Sequence, residues 1–395
     1  MDLKLTEEQE MVRKMARDFA QKEVAPIAAE MDEKGEVPFE NIKKMGQLGL
    51  LGLTAPEEYG GGGADTVSYV VALEEIAKAC ASTAVVMAVQ NSLVNYALAR
   101  FGTEEQKRKF LVPLAQGEKI GAYALTEPEA GSDAAAIRTR AVRDGDEYVI
   151  NGTKHFITNG GFADIVILYA TVDPSKGYRG ITAFIVEKGT PGFSTGKEEN
   201  KMGIRATNTC ELIFQDCRVP VANRLGDEGQ GFKIALASLD AGRIGIGAQA
   251  VGIAQAAYEA ALEYAKTRVQ FGQPIAQLQA IQWMLADMAT RIEAARLLVY
   301  KAALAKDEAQ KTGARFSKEA AMAKLYCSEV MRRVADQAVQ IHGGYGLMKE
   351  FFVEKYYRNA KLLEIGEGTS EVQRIVIARQ IGVKGGRWWT GITQQ

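Results

Sequence analysis

The sequence predicts an α+β chain ordered as helix, sheet, helix, and three features carry that expectation. Apolar residues recur at roughly helical spacing over the first hundred or so residues. From about Gly121 short runs rich in β-branched and aromatic residues take over between turn residues, and from about Gly231 long alanine-rich helical segments return. The expected organisation is a helical domain over 1–120, a mainly antiparallel β domain over 121–232, a helical bundle over 233–384 and a tail at 385–395.

Taken in order, Thr6 can cap a first helix whose apolar positions include Leu5, Met11, Met15 and Phe19. The run Tyr59-Gly60-Gly61-Gly62-Gly63 breaks it, because glycine forfeits helix stability. Helix is expected again over Ser68–Lys78, over Ser82–Phe101 and after Thr103. Strands are expected within 148–152, 155–160, 165–170, 181–186 and 210–214, with Asn151-Gly152 and Asn159-Gly160 as turn signals. The bundle is expected from Leu236–Ala265, Ala276–Ala305 and Ser317–Ile341, followed by a helix over Val372–Gln380.

Composition excludes several classes of function. The chain has 395 residues, with 48 Lys and Arg against 49 Asp and Glu, so it offers no broad attraction to nucleic acid or to an anionic membrane. Cys80, Cys210, Cys217 and Cys327 form no CxxC pair, which favours a reducing compartment, cytoplasmic or matrix-like. The N-terminus mixes acids into an amphipathic repeat, unlike a signal peptide, and no apolar run reaches membrane-spanning length. His155 and His342 lie far apart, which argues against a metal centre, and no GxSxG elbow is present. Gly245-Ile246-Gly247-Ala248-Gln249-Ala250 fits GxGxxA, but it lies inside a helical segment with no strand before it. Close helix packing is the better account of those small residues.

Two acidic, glycine-punctuated segments remain. Thr126-Glu127-Pro128-Glu129-Ala130-Gly131-Ser132-Asp133 joins the first helical third to the β domain, either as a plain connector or as a ligand-holding junction. In Glu364-Ile365-Gly366-Glu367-Gly368-Thr369-Ser370-Glu371, Thr369 or Ser370 can cap the next helix. Glu367 there suits either the helix dipole or, with partial desolvation, general-base chemistry. Asp240 and Arg243, taken alone, read as an i, i+3 pair on a helix surface.

Six segments in one order resemble the acyl-CoA dehydrogenase family: LTEPEAGSD (125–133), NGTKHFITNG (151–160), DAGRIGIGAQAVG (240–252), TRVQFGQPI (267–275), QIHGGYG (340–346) and EGTSEVQR (367–374). The likeness is nearest to the short-chain, butyryl branch and runs from the first helix to about Ile381. It implies a helical N-terminal domain, a central β domain and a C-terminal four-helix bundle, assembled as a homotetramer. It also implies FAD, bound without a Rossmann turn. Carried over by position, Tyr123, Leu125, Thr126, Phe156 and Thr158 are expected beside the isoalloxazine, Ser132 near phosphate or the CoA path, and Thr369 at the cofactor. Arg268 and Phe271, from a neighbouring subunit, and Gln340, Gly343 and Gly344 are expected at its adenosine diphosphate end. Position 270 is Gln where several relatives carry a hydroxyl residue.

For the acyl-CoA the resemblance implies Ser132, Asp240, Arg243, Gly366 and Gly368 as binding residues and Glu367 as the base that takes the α-proton while flavin N5 takes the β-hydride. A short- or medium-chain acyl-CoA thioester then gives a trans-2-enoyl-CoA, and electrons pass to an electron-transferring flavoprotein. Some branches carry the base just before the Arg243 position, but Gly242 cannot serve. Gly366 stands where many relatives have Tyr, which implies either room for branched or alicyclic acyl groups or a compensating aromatic elsewhere. An oxidase, a non-catalytic FAD-binding homologue and a DNA-binding relative are rival readings, the last without a basic tail to support it. Trp388 and Trp389 in the tail suit a subunit contact or an exposed end.

Overall fold

The computed structural model describes residues 4–383, so Trp388 and Trp389 lie outside the described residues. The N-terminal region contains α1 (Glu7–Phe19), α2 (Ala28–Lys34), α3 (Phe39–Gln47), α4 (Thr66–Ala79), α5 (Ala81–Ala88) and α6 (Tyr96–Phe101). Two short pieces follow, α7 (Glu104–Gln106) and α8 (Val112–Ala115). Thr6 caps α1 and Thr103 caps α7, each in a reciprocal capping box with Gln9 or Gln106, which satisfies amide donors that a helix start leaves free. The helix expected over 82–101 is continuous but widens into a π turn at Val89–Asn95. Gln90 explains why this turn is stable: its Nε2 donates to the Leu114 carbonyl (2.8 Å) and its Oε1 accepts from Gly121 N–H (2.8 Å), which fixes the turn to the first strand.

The sheet has eight strands: β1 (Gly121–Ala124), β2 (Arg140–Asp144), β3 (Glu147–Thr158), β4 (Ile165–Thr171), β5 (Ile181–Glu187), β6 (Phe193–Glu198), β7 (Thr209–Pro220) and β8 (Arg224–Leu225). Their order is β6-β7-β3-β2-β4-β5-β8, with β1 beside β4. Pairing is antiparallel except that β1 runs parallel to β4 and β2 meets β4 in parallel at Arg140 and Thr171. Both faces of β4 are buried. Ile165, Ile167 and Tyr169 join the main core with the helices, whereas Val166, Leu168 and Ala170 join a second core with Tyr148, Ile150 and Phe214. Its unbroken apolar run follows from burial on both sides.

Asn151-Gly152 corrects one expectation. It is no hairpin turn but lies inside β3, where the register against β7 shifts between Ile150 and Gly152. The Asn-Gly pair supplies a bulge in a long bent strand instead of its end. The turn comes at Asn159, at φ 66°, as its sequence suggests.

The bundle contains α9 (Gly231–Thr267), a small hairpin of β9 (Val269–Gln270) and β10 (Gln273–Pro274), α10 (Gln279–Thr312), α11 (Ser317–His342), α12 (Val353–Ile365) and α13 (Ser370–Gln380). The GxGxxA letters fall in the interior of α9, as the packing interpretation requires. Helix α9 lies so close to α4 that a Cβ on Gly252 would come within 2.3 Å of the Glu74 carbonyl oxygen. Beside this contact the Glu74 carboxylate pairs with Arg296 of α10 at 2.8 Å. No helix among the described residues is long and apolar enough to cross a membrane. Because the obstacle at Gly252 is backbone, Gly252→Val is expected to destabilise the protein by about 1–3 kcal/mol. Urea midpoints check this, and an unchanged midpoint would show that the two helices separate freely.

Candidate active-site cleft

A cavity of about 1750 Å³ opens where the N-terminal helices, the sheet and the bundle meet. Pockets for one small molecule are typically ~300–1,000 Å³, so the cleft has room for two ligands side by side. The expected site residues reach it from three segments and from α9.

The first segment leaves β1. The Leu125 carbonyl accepts from Lys154 Nζ (2.9 Å) and the Thr126 carbonyl from His155 N–H (2.8 Å). Lys154 is fully buried and pairs with Glu127 at 2.7 Å, while Glu127 also accepts from the amides of Arg138 and Thr139. Burial lowers the Lys154 pKa to about 8, with Glu127 opposing it. Leu125 and Thr126 line the cleft, and among the described residues neither amide donates to a protein acceptor. Tyr123 lines it beside them, donating from its hydroxyl to the Ala235 carbonyl at 3.2 Å. Ser132 is exposed at the rim.

The second segment is the end of β3. Phe156 adopts φ 58°, is 61% exposed and lines the cleft, and Thr158 lines the wall nearby. The third segment links α12 to α13. Thr369 caps α13 by accepting from Val372 N–H at 3.3 Å. Glu367 adopts φ 54°, a left-handed conformation that costs a non-glycine residue energy and persists only where its surroundings hold it. Gln373 Nε2 donates to the Gly368 carbonyl at 2.8 Å and the Glu367 carbonyl at 3.3 Å, and Arg243 Nε reaches the latter at 3.5 Å. Gly366 and Gly368 line the cleft on either side.

Helix α9 supplies the floor. Asp240 and Arg243 are not the surface pair that their spacing alone allows. Both are largely buried in the cleft, joined at 2.6 Å, and Asp240 also accepts from the Ser317 hydroxyl. Between them Gly242 leaves a gap that Glu367 fills: a Cβ at 242 would stand 2.0 Å from Glu367 Oε2. That oxygen is buried and has no hydrogen-bond partner. Burial pushes the Glu367 pKa up to about 7, against Arg243 and Lys324, which favour the ion.

The remaining expected cofactor residues do not reach this cleft. Arg268 lies over the Tyr345 ring at 5.4 Å, beyond the end of α9, and Phe271 is 89% exposed on the adjoining hairpin. Gln340 is near the end of α11, and Gly343 and Gly344 follow it with open space around them. Tyr264 stacks on His342 at 4.2 Å, so the ends of α9 and α11 meet there. From Gly242 to Thr267 runs about 38 Å of unbroken helix.

Residue-by-residue reading overlooked Gln249 and Lys324, both fully buried near the cleft. Their signal is a polar residue on an otherwise apolar helix face. Lys324 lies among Ala320, Ala321, Cys327 and Ser328, all buried.

The arrangement accommodates a flavin. Two free amides, a hydroxyl and an exposed aromatic ring suit a planar heterocycle edged with carbonyls and ring nitrogens, and the cleft volume leaves space for a substrate against it. The sequence matches the models of the acyl-CoA dehydrogenase N-terminal domain over 6–118, middle domain over 122–217 and C-terminal domain over 229–382. It is 54% identical over 381 residues to the short-chain specific acyl-CoA dehydrogenase of Clostridium acetobutylicum, covering 96% of this chain and 100% of that protein. The structure of butyryl-CoA dehydrogenase from Megasphaera elsdenii superposes with a TM-score of 0.94 at 51% identity, over 96% of this chain and 100% of that one. A chain from work on the electron transferring flavoprotein of Acidaminococcus fermentans gives a TM-score of 0.95 at 50% identity, over 97% and 100%.

The raised Glu367 pKa has a consequence for stability. The carboxyl costs nothing below its unfolded pKa of about 4.3, and the cost grows until pH passes about 7, where the folded form ionises. Glu367→Gln is therefore expected to be more stable than wild type at pH 8 and to lose most of that advantage towards pH 4. Equal urea midpoints at pH 8 would contradict the burial of this carboxylate.

Proposed function

The chain belongs to the acyl-CoA dehydrogenase family, whose members are FAD-dependent oxidoreductases, and from that premise we propose that it oxidises a short acyl-CoA thioester to the trans-2-enoyl-CoA. The α-proton goes to Glu367 and the β-hydrogen leaves with its electron pair. FAD, when bound, supplies the acceptor for that hydride. The observation that carries this reading is the Glu367 carboxyl group: it lines the cleft, its Oε2 is buried and unpartnered, and burial raises its pKa to about 7, which makes it more basic than a free glutamate and half ionised at neutrality.

A thioester α C–H is weakly acidic, so negative charge building on the thioester oxygen needs a donor. The Glu367 amide donates to no protein acceptor among the described residues and is available for that oxygen. Asp240, Arg243, Ser132, Gly366 and Gly368 are the proposed contacts of the acyl-CoA. Tyr123, Leu125, Thr126, Ser132, Phe156, Thr158 and Thr369 are proposed to hold FAD within one subunit.

The separation of about 38 Å along α9 supports a contribution to FAD by Arg268, Phe271, Gln340, Gly343 and Gly344 of a neighbouring copy, because one chain cannot fold them into its own cleft. A homotetramer satisfies this, and the exposed Trp283, Leu297 and Leu304 give α10 an apolar stripe to bury in such a contact. An electron-transferring flavoprotein is the proposed electron acceptor.

Gln249 supports a short acyl group. It lies two turns beyond Gly242 on the same face of α9, roughly 10 Å away, and lines the cleft with both amide atoms buried and unpaired. A long alkyl chain driven against it would leave those groups unsatisfied. A second reading, a branched or alicyclic acyl group, is favoured by Gly366, where a Cβ would meet only Leu362, no closer than 3.4 Å, so the position is open.

Anaerobic titration of the FAD-loaded protein with butyryl-, hexanoyl-, isobutyryl- and cyclohexanecarbonyl-CoA, following flavin bleaching, tests both readings. Butyryl-CoA is expected to bleach fastest. Glu367→Gln should keep its FAD and lose turnover by on the order of 10²–10⁴; near-normal bleaching overturns the assignment. Gly242→Ala should fold normally, since the end of a flexible side chain can yield, yet lose at least about tenfold in rate by displacing the carboxylate. Peroxide formed in step with substrate oxidation would instead indicate an oxidase.

A further inference from the structure

Lys324 has no exposed surface and forms no salt bridge among the described residues. An ammonium in such a place must have its donors satisfied by the fold. Nζ donates to the Glu364 carbonyl at 3.0 Å and the Gly368 carbonyl at 2.8 Å. The first belongs to the last turn of α12, where helix carbonyls lack partners, and the second to the residue after Glu367. One nitrogen thus holds the loop on both sides of Glu367, while Gln373 holds the Gly368 carbonyl from α13.

We propose that Lys324 is a positioning residue for the reaction: by tying the Glu364 and Gly368 carbonyls to one buried ammonium, it keeps Glu367 at positive φ with its carboxylate over Gly242. The inference rests on Glu367 being the base. The ammonium also opposes burial and favours the carboxylate ion, and the carboxylate in turn opposes the burial that lowers the Lys324 pKa to about 7. Other groups share this field. Arg243, paired with Asp240, faces Glu367 from α9, Tyr69 from α4 and Tyr123 from β1. From α12 comes Glu364, already paired with Arg332 (2.8 Å) and Lys361 (2.7 Å), and from α13 come Glu371 and Arg374. Among them Lys324 alone joins the two ends of the loop.

The test uses FAD-loaded wild type, Lys324→Met and Lys324→Gln. Hydrogen exchange over residues 363–371 is expected to accelerate about tenfold or more in Lys324→Met while the rest of α11 stays protected. Lys324→Gln, which keeps a donor without the charge, should keep the loop protected. In both variants the acidic limb of kcat/KM for butyryl-CoA should move to higher pH, because the cation that favours the ionised base is gone. Wild-type exchange in the loop of Lys324→Met, or an acidic limb unmoved in both variants, overturns the proposal. If Lys324→Met does not fold, the acidic limb of Lys324→Gln decides. If wild type bleaches with no acyl-CoA, the dehydrogenase reading fails and loop exchange still decides the role of Lys324.

Discussion

The carboxylate of Glu367 occupies the volume that a side chain at position 242 would fill, and the rest of the site is arranged around that contact. It requires α9 to pass directly beneath the loop between α12 and α13. The same stretch of α9 carries the Asp240–Arg243 pair, so the pair and the carboxylate share one floor. The π turn between α5 and α6 brings Leu93 to the other side of Gly242, its Cδ2 only 2.9 Å from where a Cβ would stand. Packed against α9 at Gly242, the carboxyl group has one oxygen shut off from water and without a hydrogen-bond partner, which is the physical origin of its raised pKa.

Buried lysines recur as fasteners in this fold. Lys154 ties the Leu125 carbonyl to Glu127, Lys306 donates to the Thr66 hydroxyl, and Lys324 ties two carbonyls of the Glu367 loop. Two of these three hold backbone at the cleft wall. A flexible four-carbon stem ending in three donors suits that task, since it can reach carbonyls that no regular element satisfies. Such loops keep polar surface facing the ligand and stay anchored from behind.

Much of this was legible in sequence. The cap at Thr6, and one at Thr369 or Ser370 that the structure places at Thr369, are local chemistry, and the alanine-rich helices follow from periodicity. The helix carrying GxGxxA could be distinguished from a nucleotide turn because no strand precedes it. Asn151-Gly152 misled because a hairpin turn and a bulge call for the same residues, and only the partner strand decides between them. Asp240 and Arg243 were ambiguous because an i, i+3 spacing says nothing about which way the helix faces. Strand β6 carried no signal, being short, polar and largely exposed at the sheet edge. Contacts such as Gly242 with Glu367 join residues 125 positions apart, which no window along the chain contains.

That shared volume also constrains how the site can change over evolutionary time. An acid at 242 would project into the space Glu367 already holds, placing two carboxylates together in a region poor in water. Moving the base from the loop to the helix therefore requires residue 367 to shrink in step with the acid appearing at 242. Either change alone passes through a form with two crowded acids or with none. In this scaffold the two positions therefore behave as one coupled locus, and a base can move between them only by a double substitution.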